Sequence, residues 1–152
     1  MTTSSIIFED TPRYDLWLKL ILGGVLALTL VLGILFMYRD TEAAIVLLGI
    51  TLFDALLFWA IMPRRFQIFE DRLKILLGGP LAVNIQLSNI AEAKPASSRK
   101  VFFYWGSRFA TSTSNVVEIV RKKGLNLVIS PKNADIFVER LNQARQSQPG
   151  LA

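Results

Sequence analysis

Asp54 has the most unusual setting of any ionisable residue in the chain, because it is the only charged residue in the apolar run 43–62. A carboxylate near the middle of a bilayer costs about 2.5–3.5 kcal/mol, so it requires a partner or a proton. Thr51, one helical turn earlier, could share a hydrogen bond with it. Gly23 and Gly24 fall at a similar depth in an antiparallel helix pair, where they would let the two backbones approach closely. These four residues predict an intramembrane polar contact, within the chain or between copies, with a proton or ion site as the alternative.

Basic side chains are the second feature that could make specific contacts. Residues 64–152 carry fourteen basic and six acidic side chains, whereas residues 1–63 carry three and six. The basic residues include three short clusters: Arg64 and Arg65, Arg99 and Lys100, and Arg121, Lys122 and Lys123. Near an anionic membrane surface each such charge contributes about 1 kcal/mol of attraction. The clusters predict a binding surface, and the alternative interpretation is solvated turns with the usual positive charge of cytoplasmic segments.

Catalytic chemistry is poorly represented. The chain has no cysteine and no histidine, which excludes cysteine nucleophiles, disulfides and zinc sites of the common Cys/His type. It also excludes the usual general base near neutral pH. We predict no catalytic residue, no cofactor and no metal site, and we expect a protein that is not an enzyme. Nucleic acid is not an expected partner, since no recognition helix or known motif accompanies the basic clusters.

Two apolar runs precede residue 63. Residues 20–38 contain no charge and residues 43–62 contain one, and each matches the roughly 20 residues that cross a hydrocarbon core of about 30 Å. The short connection 39–42 predicts an antiparallel hairpin. The first run follows acidic residues rather than the basic segment of a signal peptide. Arg64 and Arg65 directly after the second run favour a multi-pass protein of the plasma (inner) membrane with both termini cytoplasmic.

Short runs with a period of two follow the second apolar run. They predict strands near residues 65–68, 73–77 and 83–88, with residues 90–94 extending or bending the third strand. Residues 116–120 and 125–129 predict a hairpin around the turn 121–124. A C-terminal helix is predicted to begin at Ser130 as N-cap with Pro131 in its first position, and to end near Arg145.

This order of elements resembles the bacterial pleckstrin-homology-like (PH-like) domains of small membrane proteins. Residues 66–79 resemble the family's opening hairpin, residues 85–90 its third strand, and residues 116–141 its last hairpin and helix. The resemblance covers about residues 64–145 and implies a bent β-sandwich or partly open barrel closed by a helix, used to bind lipids, peptides or proteins. The turn Glu70-Asp71-Arg72 lacks the basic character of phosphoinositide-binding relatives, so that activity is not expected.

The sequence thus predicts an α+β membrane protein with four segments. Residues 1–15 form a cytoplasmic N-terminal segment, residues 16–63 a transmembrane hairpin with spans at about 18–38 and 43–62, residues 64–145 the PH-like domain, and residues 146–152 a disordered tail. The expected function is that of a membrane-anchored, non-enzymatic binding or scaffold module. Its expected partners are membrane lipids, including anionic ones, and another protein or a second copy of the chain. The alternative is a small oligomeric transport or channel component with Asp54 in a polar membrane site.

Overall fold

The computed structural model describes residues 5–97 and 105–147. Two long apolar helices, α1 (Leu16–Phe36) and α2 (Thr41–Ile61), occupy the first half of the chain. Asp40 caps α2, because its carboxylate accepts the backbone N–H groups of Glu42 and Ala43. The helix ends just before Pro63, which cannot continue a helical hydrogen-bond ladder. The two apolar helices predicted from the sequence are confirmed. Both are long and apolar enough to cross a membrane, and only 6% of each apolar stretch is buried.

The two helices contact each other near the short connection that joins them. Gly33 is buried there, and a Cβ at this position would lie 2.9 Å from Cδ2 of Leu48. One helical turn away, the hydroxyl groups of Thr29 and Thr51 lie 2.9 Å apart. These contacts set the register of the pair, in which small residues allow close approach.

The first sheet has the order β1-β2-β3-β4, with every neighbouring pair antiparallel. Its strands are β1 (Ile6–Asp10), β2 (Arg65–Phe69), β3 (Arg72–Leu76) and β4 (Ala82–Gln86). The last three correspond to the strands predicted from the alternating pattern. Strand β1 was not predicted: it precedes both helices in the chain yet pairs with β2, which follows them. The N-terminal segment and the β domain therefore lie at the same end of the helix pair.

The second sheet has the order β5-β7-β8-β6. Its strands are β5 (Ile90–Pro95), β6 (Ser107–Phe109), β7 (Val117–Arg121) and β8 (Leu127–Ile129), and β6 runs parallel to β8. The predicted hairpin β7–β8 is confirmed. Residues 90–94 were expected to extend or bend the third strand. The extension is not observed, because a 3-10 turn at Leu87–Asn89 ends β4 and redirects the chain, so that β5 lies in the other sheet.

Helix α3 (Ala134–Gln146) packs on β5, β1 and β2 and covers the core. Phe137 is fully buried, with its ring 6.1 Å from that of Phe66 and 6.3 Å from that of Phe8. The prediction that Ser130 caps this helix is wrong, since Asn133 occupies the N-cap position. Pro131 instead forms a bridge with Pro12. The fold is therefore mixed α+β, and the described strands form two separate sheets rather than one closed barrel.

Candidate binding site

The linker from β1 to α1 is held in place by two loops of the β domain. The N–H of Arg13 donates to the carbonyl of Ser130 (2.9 Å), and the N–H of Asp15 donates to the carbonyl of Thr111 (3.1 Å). The buried hydroxyl of Ser130 in turn accepts the N–H groups of Thr111 and Ser112, at 2.8 and 3.2 Å. These contacts explain why Ser130 does not cap α3, and they fix the start of α1 against the domain.

Asp15 is the central residue of this junction. Its carboxylate accepts the hydroxyl of Ser112 (2.6 Å), the N–H and hydroxyl of Thr113 (2.7 and 2.9 Å) and the indole N–H of Trp17 (3.2 Å). Partial burial raises the pKa of Asp15, but these hydrogen bonds outweigh burial and hold the pKa at about 2. The ionised carboxylate therefore ties the first residue before α1 to the loop 111–113.

The C-terminal end of α2 makes a second junction. The turn between β3 and β4 lies so close to the helix that a Cβ at Gly78 would fall 1.5 Å from the carbonyl oxygen of Trp59. Gly79, at φ +65°, faces the Trp59 ring. The hydroxyl of Tyr14 donates a hydrogen bond to the carbonyl of Pro63. The pKa of Tyr14 is raised, because the effect of burial is larger than the opposing effect of the nearby Arg64 charge. Both helices are thus attached to the same end of the first sheet.

The opposite end of that sheet carries the densest basic cluster. Strand β2 begins at the helices with Arg65 and runs away from them to Phe69. At that far end the N–H of Leu87 donates to the carbonyl of Asp71 (2.9 Å). The side chain of Asn89 accepts the N–H of Lys123 (2.9 Å) and donates to its carbonyl (3.0 Å). The β7–β8 turn is therefore fixed at the end of the domain farthest from the helices.

Two adjoining cavities at this end form what we call the distal groove. One, of about 400 Å³, is lined by Asp71, Arg72, Asn84, Ile85, Gln86, Asn89 and Arg121. The other, of about 370 Å³, shares Gln86 and Asn89 with it and adds Ser88, Lys122 and Lys123. Four basic side chains and one acidic side chain thus line one continuous polar depression, which favours an anionic ligand.

Two arginines in the distal groove have unused hydrogen-bonding capacity. The Nε atoms of Arg72 and Arg121 are buried and donate no hydrogen bond within the described structure. Asp71 is only a loose partner of Arg72, at 3.7 Å. A buried N–H without an acceptor costs about 1–3 kcal/mol, so a small movement of either side chain that brought its Nε to an acceptor on a ligand or on water would be favourable.

The predicted basic surface is divided between the two ends of the domain. Arg121, Lys122 and Lys123 line the distal groove, whereas Arg64 and Arg65 lie beside the helices. Arg65 forms an ion pair with Glu9 at 3.1 Å. Arg99 and Lys100 lie outside the described residues. Sequence reasoning missed Arg72 and Asn89, which carry no distinctive pattern and join the site only because three turns meet there.

The polar contact within the helix pair is made partly by other residues than those predicted. Thr51 bonds to the hydroxyl of Thr29 and to the carbonyl of Leu47 rather than to Asp54. A Cβ at Gly23 or Gly24 would meet nothing within 4 Å, so the expected close approach at these glycines is not observed. The register set by Thr29 and Thr51 places these glycines nearer the end of α2 than Asp54. Asp54 is half-buried and has no hydrogen bond or ion pair to any other described residue.

No protein-family model, no curated protein and no solved structure matches this chain. Within residues 5–97 and 105–147 no group of three or more acidic side chains is arranged to hold a metal ion. Function therefore has to be inferred from the sites themselves.

Proposed function

We propose that this protein is a membrane-anchored, non-enzymatic binding module whose PH-like domain presents the distal groove to an acidic segment of a protein partner. Support for the anchor comes from α1 and α2, whose large apolar side chains are mostly exposed. Water would penalise such a surface by about 25 cal/mol for each Å². A bilayer would not. Arg64 and Arg65 beside the helices support a cytoplasmic location of both termini.

The observation that carries the proposal is the position of the distal groove. Strand β2 has five residues, so at about 3.3 Å per residue the groove lies roughly 16 Å beyond the helix ends. That distance is about twice the Debye length of about 8 Å at physiological ionic strength. Lipid charges would be largely screened there, so a protein partner is favoured over the inner leaflet as the ligand of Arg72 and Arg121.

A binding experiment on the full-length chain in mild detergent tests this function. We expect a partner purified with the wild-type chain to bind at least 100-fold more weakly when Arg121, Lys122 and Lys123 are all changed to Glu, because like charges across an interface cost several kcal/mol. The wild-type affinity should also fall as salt increases. Titration of the partner by fluorescence anisotropy measures both effects.

A control variant separates the groove from general charge. Changing Arg13, Lys132 and Arg140 to Glu alters the same number of charges on exposed residues that line neither cavity. Its affinity should stay within a few-fold of wild type. An equal loss in both variants, or binding of anionic vesicles through the distal groove, would contradict the proposal.

A second candidate function, a small oligomeric transport component, is favoured by one observation. Asp54 lies half-buried within α2 without a bonding partner among the described residues, and an ionisable residue at membrane depth normally faces a polar path or a partner helix. This hypothesis predicts ion or proton flux in liposomes that Asp54→Asn abolishes. Flux that persists in the Asp54→Asn variant, or no flux from the wild-type chain, would eliminate this hypothesis. Thr51→Val serves as a control for the loss of the neighbouring hydroxyl.

A further inference from the structure

An open cleft of about 430 Å³ lies between α1 and α2 at the end nearest the β domain. We call it the proximal cleft. Its α1 wall is a row of leucines spaced by one helical turn, Leu18, Leu22 and Leu26. Phe58 and Met62 form the opposite wall on α2. The volume lies within the range of about 300–1,000 Å³ that small-molecule sites occupy, and the walls are apolar as in such sites.

The mouth of the proximal cleft is cationic and aromatic. Lys19 and Arg64 both line it, and so does Tyr14. The Arg64 guanidinium lies 5.1 Å from the centre of the Trp59 ring, a cation–π distance that fixes its position. Neither Lys19 nor Arg64 forms an ion pair with another residue of the described ranges. Two positive charges therefore stand at one end of an apolar slot, and neither is held in an ion pair by another described residue.

We infer that the proximal cleft binds one anionic glycerophospholipid, with an acyl chain between the leucine row and Phe58 and the phosphate between Lys19 and Arg64. The inference rests on the proposed membrane insertion. An acyl chain is the apolar ligand that a bilayer supplies to a cleft between two of its helices. A phosphate accepts strongly from both ammonium and guanidinium groups. Tyr14 and Trp59 add the amphipathic rings typical of the membrane interface.

Charge complementarity distinguishes this occupant from others. A zwitterionic lipid would fill the apolar slot but bring no net charge to Lys19 and Arg64. A helix of a second copy would bring mainly apolar side chains from the same two spans. Of these three occupants only the anionic lipid matches both the apolar slot and the cationic mouth. It would bind where both helices attach to the domain, because Tyr14 donates to the carbonyl of Pro63 beside the same mouth.

Native mass spectrometry of the full-length chain in detergent tests the inference. Phosphatidylglycerol and phosphatidylcholine with identical acyl chains are titrated against wild type and the Lys19→Gln/Arg64→Gln variant. We expect wild type to prefer phosphatidylglycerol, and we expect the variant to bind it roughly 30-fold more weakly, which corresponds to about 1 kcal/mol for each cation. Phosphatidylcholine has the same phosphate but no net charge, so its affinity should fall much less in the variant than that of phosphatidylglycerol.

Two further variants guard against indirect effects. Arg13→Gln/Arg39→Gln removes the same charge from exposed positions outside the cleft and should leave the lipid preference intact. Leu22→Trp fills the slot and should weaken both lipids alike. Equal binding of the two lipids by wild type would overturn this inference and leave membrane anchoring untouched. Release of the chain from membranes by alkaline carbonate would overturn both.

Discussion

Replacing Gly78 by alanine is expected to lower the free energy of unfolding by about 3 kcal/mol, the upper part of the range for overpacking. The new Cβ would lie 1.5 Å from the carbonyl oxygen of Trp59, and a backbone atom cannot rotate away as a side chain can. The β3–β4 turn must then separate from α2. Thermal unfolding of the purified chain, followed by circular dichroism, measures the loss.

Gly49→Ala is the matched control, because a Cβ there would meet nothing within 4 Å. Alanine has the better helix propensity, so this change should be neutral or stabilising by up to about 1 kcal/mol. Gly78 does not have a positive φ, so backbone conformation adds nothing to the predicted effect. Similar unfolding temperatures for Gly78→Ala and wild type would show that the turn does not pack on α2.

Removing the Asp15 carboxylate should have the next largest effect. Asp15→Ala leaves the hydroxyls of Ser112 and Thr113 and the Thr113 N–H without their acceptor. We expect the free energy of unfolding to fall by about 2 kcal/mol, because water only partly replaces the lost acceptor. Glu42→Ala removes an exposed acid from the first turn of α2 and should cost only a few tenths of a kcal/mol. Equal losses in the two variants would contradict the role of Asp15.

The same carboxylate predicts a dependence of stability on pH. The folded pKa of about 2 lies below the ordinary value of about 3.9, so the unfolded chain binds the proton more readily. The Asp15 contribution is therefore complete above about pH 5 and is lost as the pH falls from about 4 toward 2. Unfolding of wild type and Asp15→Asn between pH 7 and pH 3 checks this, because the difference between them should narrow as the pH falls.

The elements that sequence reasoning predicted well are those with a strong local signal. Long apolar runs, one with no charge and one with only Asp54, leave little alternative to α1 and α2. The alternating pattern and the turn at Gly78 and Gly79 predict β3 and β4. The turn of the last hairpin contains Gly124, which has a φ of +91°. In each case the partner segment follows within a few residues, so local pattern and tertiary pairing agree.

The features that the sequence did not predict depend on distant partners. Strand β1 has only five residues, two of them acidic, and its partner β2 follows both helices. The start of α3 was misplaced because Ser130 and Pro131 match helix-start preferences, while contacts with Thr111 and Pro12 decide their actual positions. Arg72 was not predicted as a binding residue, because only the meeting of separate turns gives it a shared cavity with Arg121.

The pairing of β1 with β2 also means that the two apolar helices are an insertion within a β-hairpin. Strands β1 and β2 are antiparallel neighbours, and the whole helix pair occupies the place of the loop between them. Tyr14 and Pro63 are already in hydrogen-bond contact, so a few glycines joining residue 15 to residue 64 would be enough to close that loop and keep β1 paired with β2. A fragment that simply starts at Arg64 would lack β1 and expose the unpaired edge of β2, which is a recognised cause of aggregation.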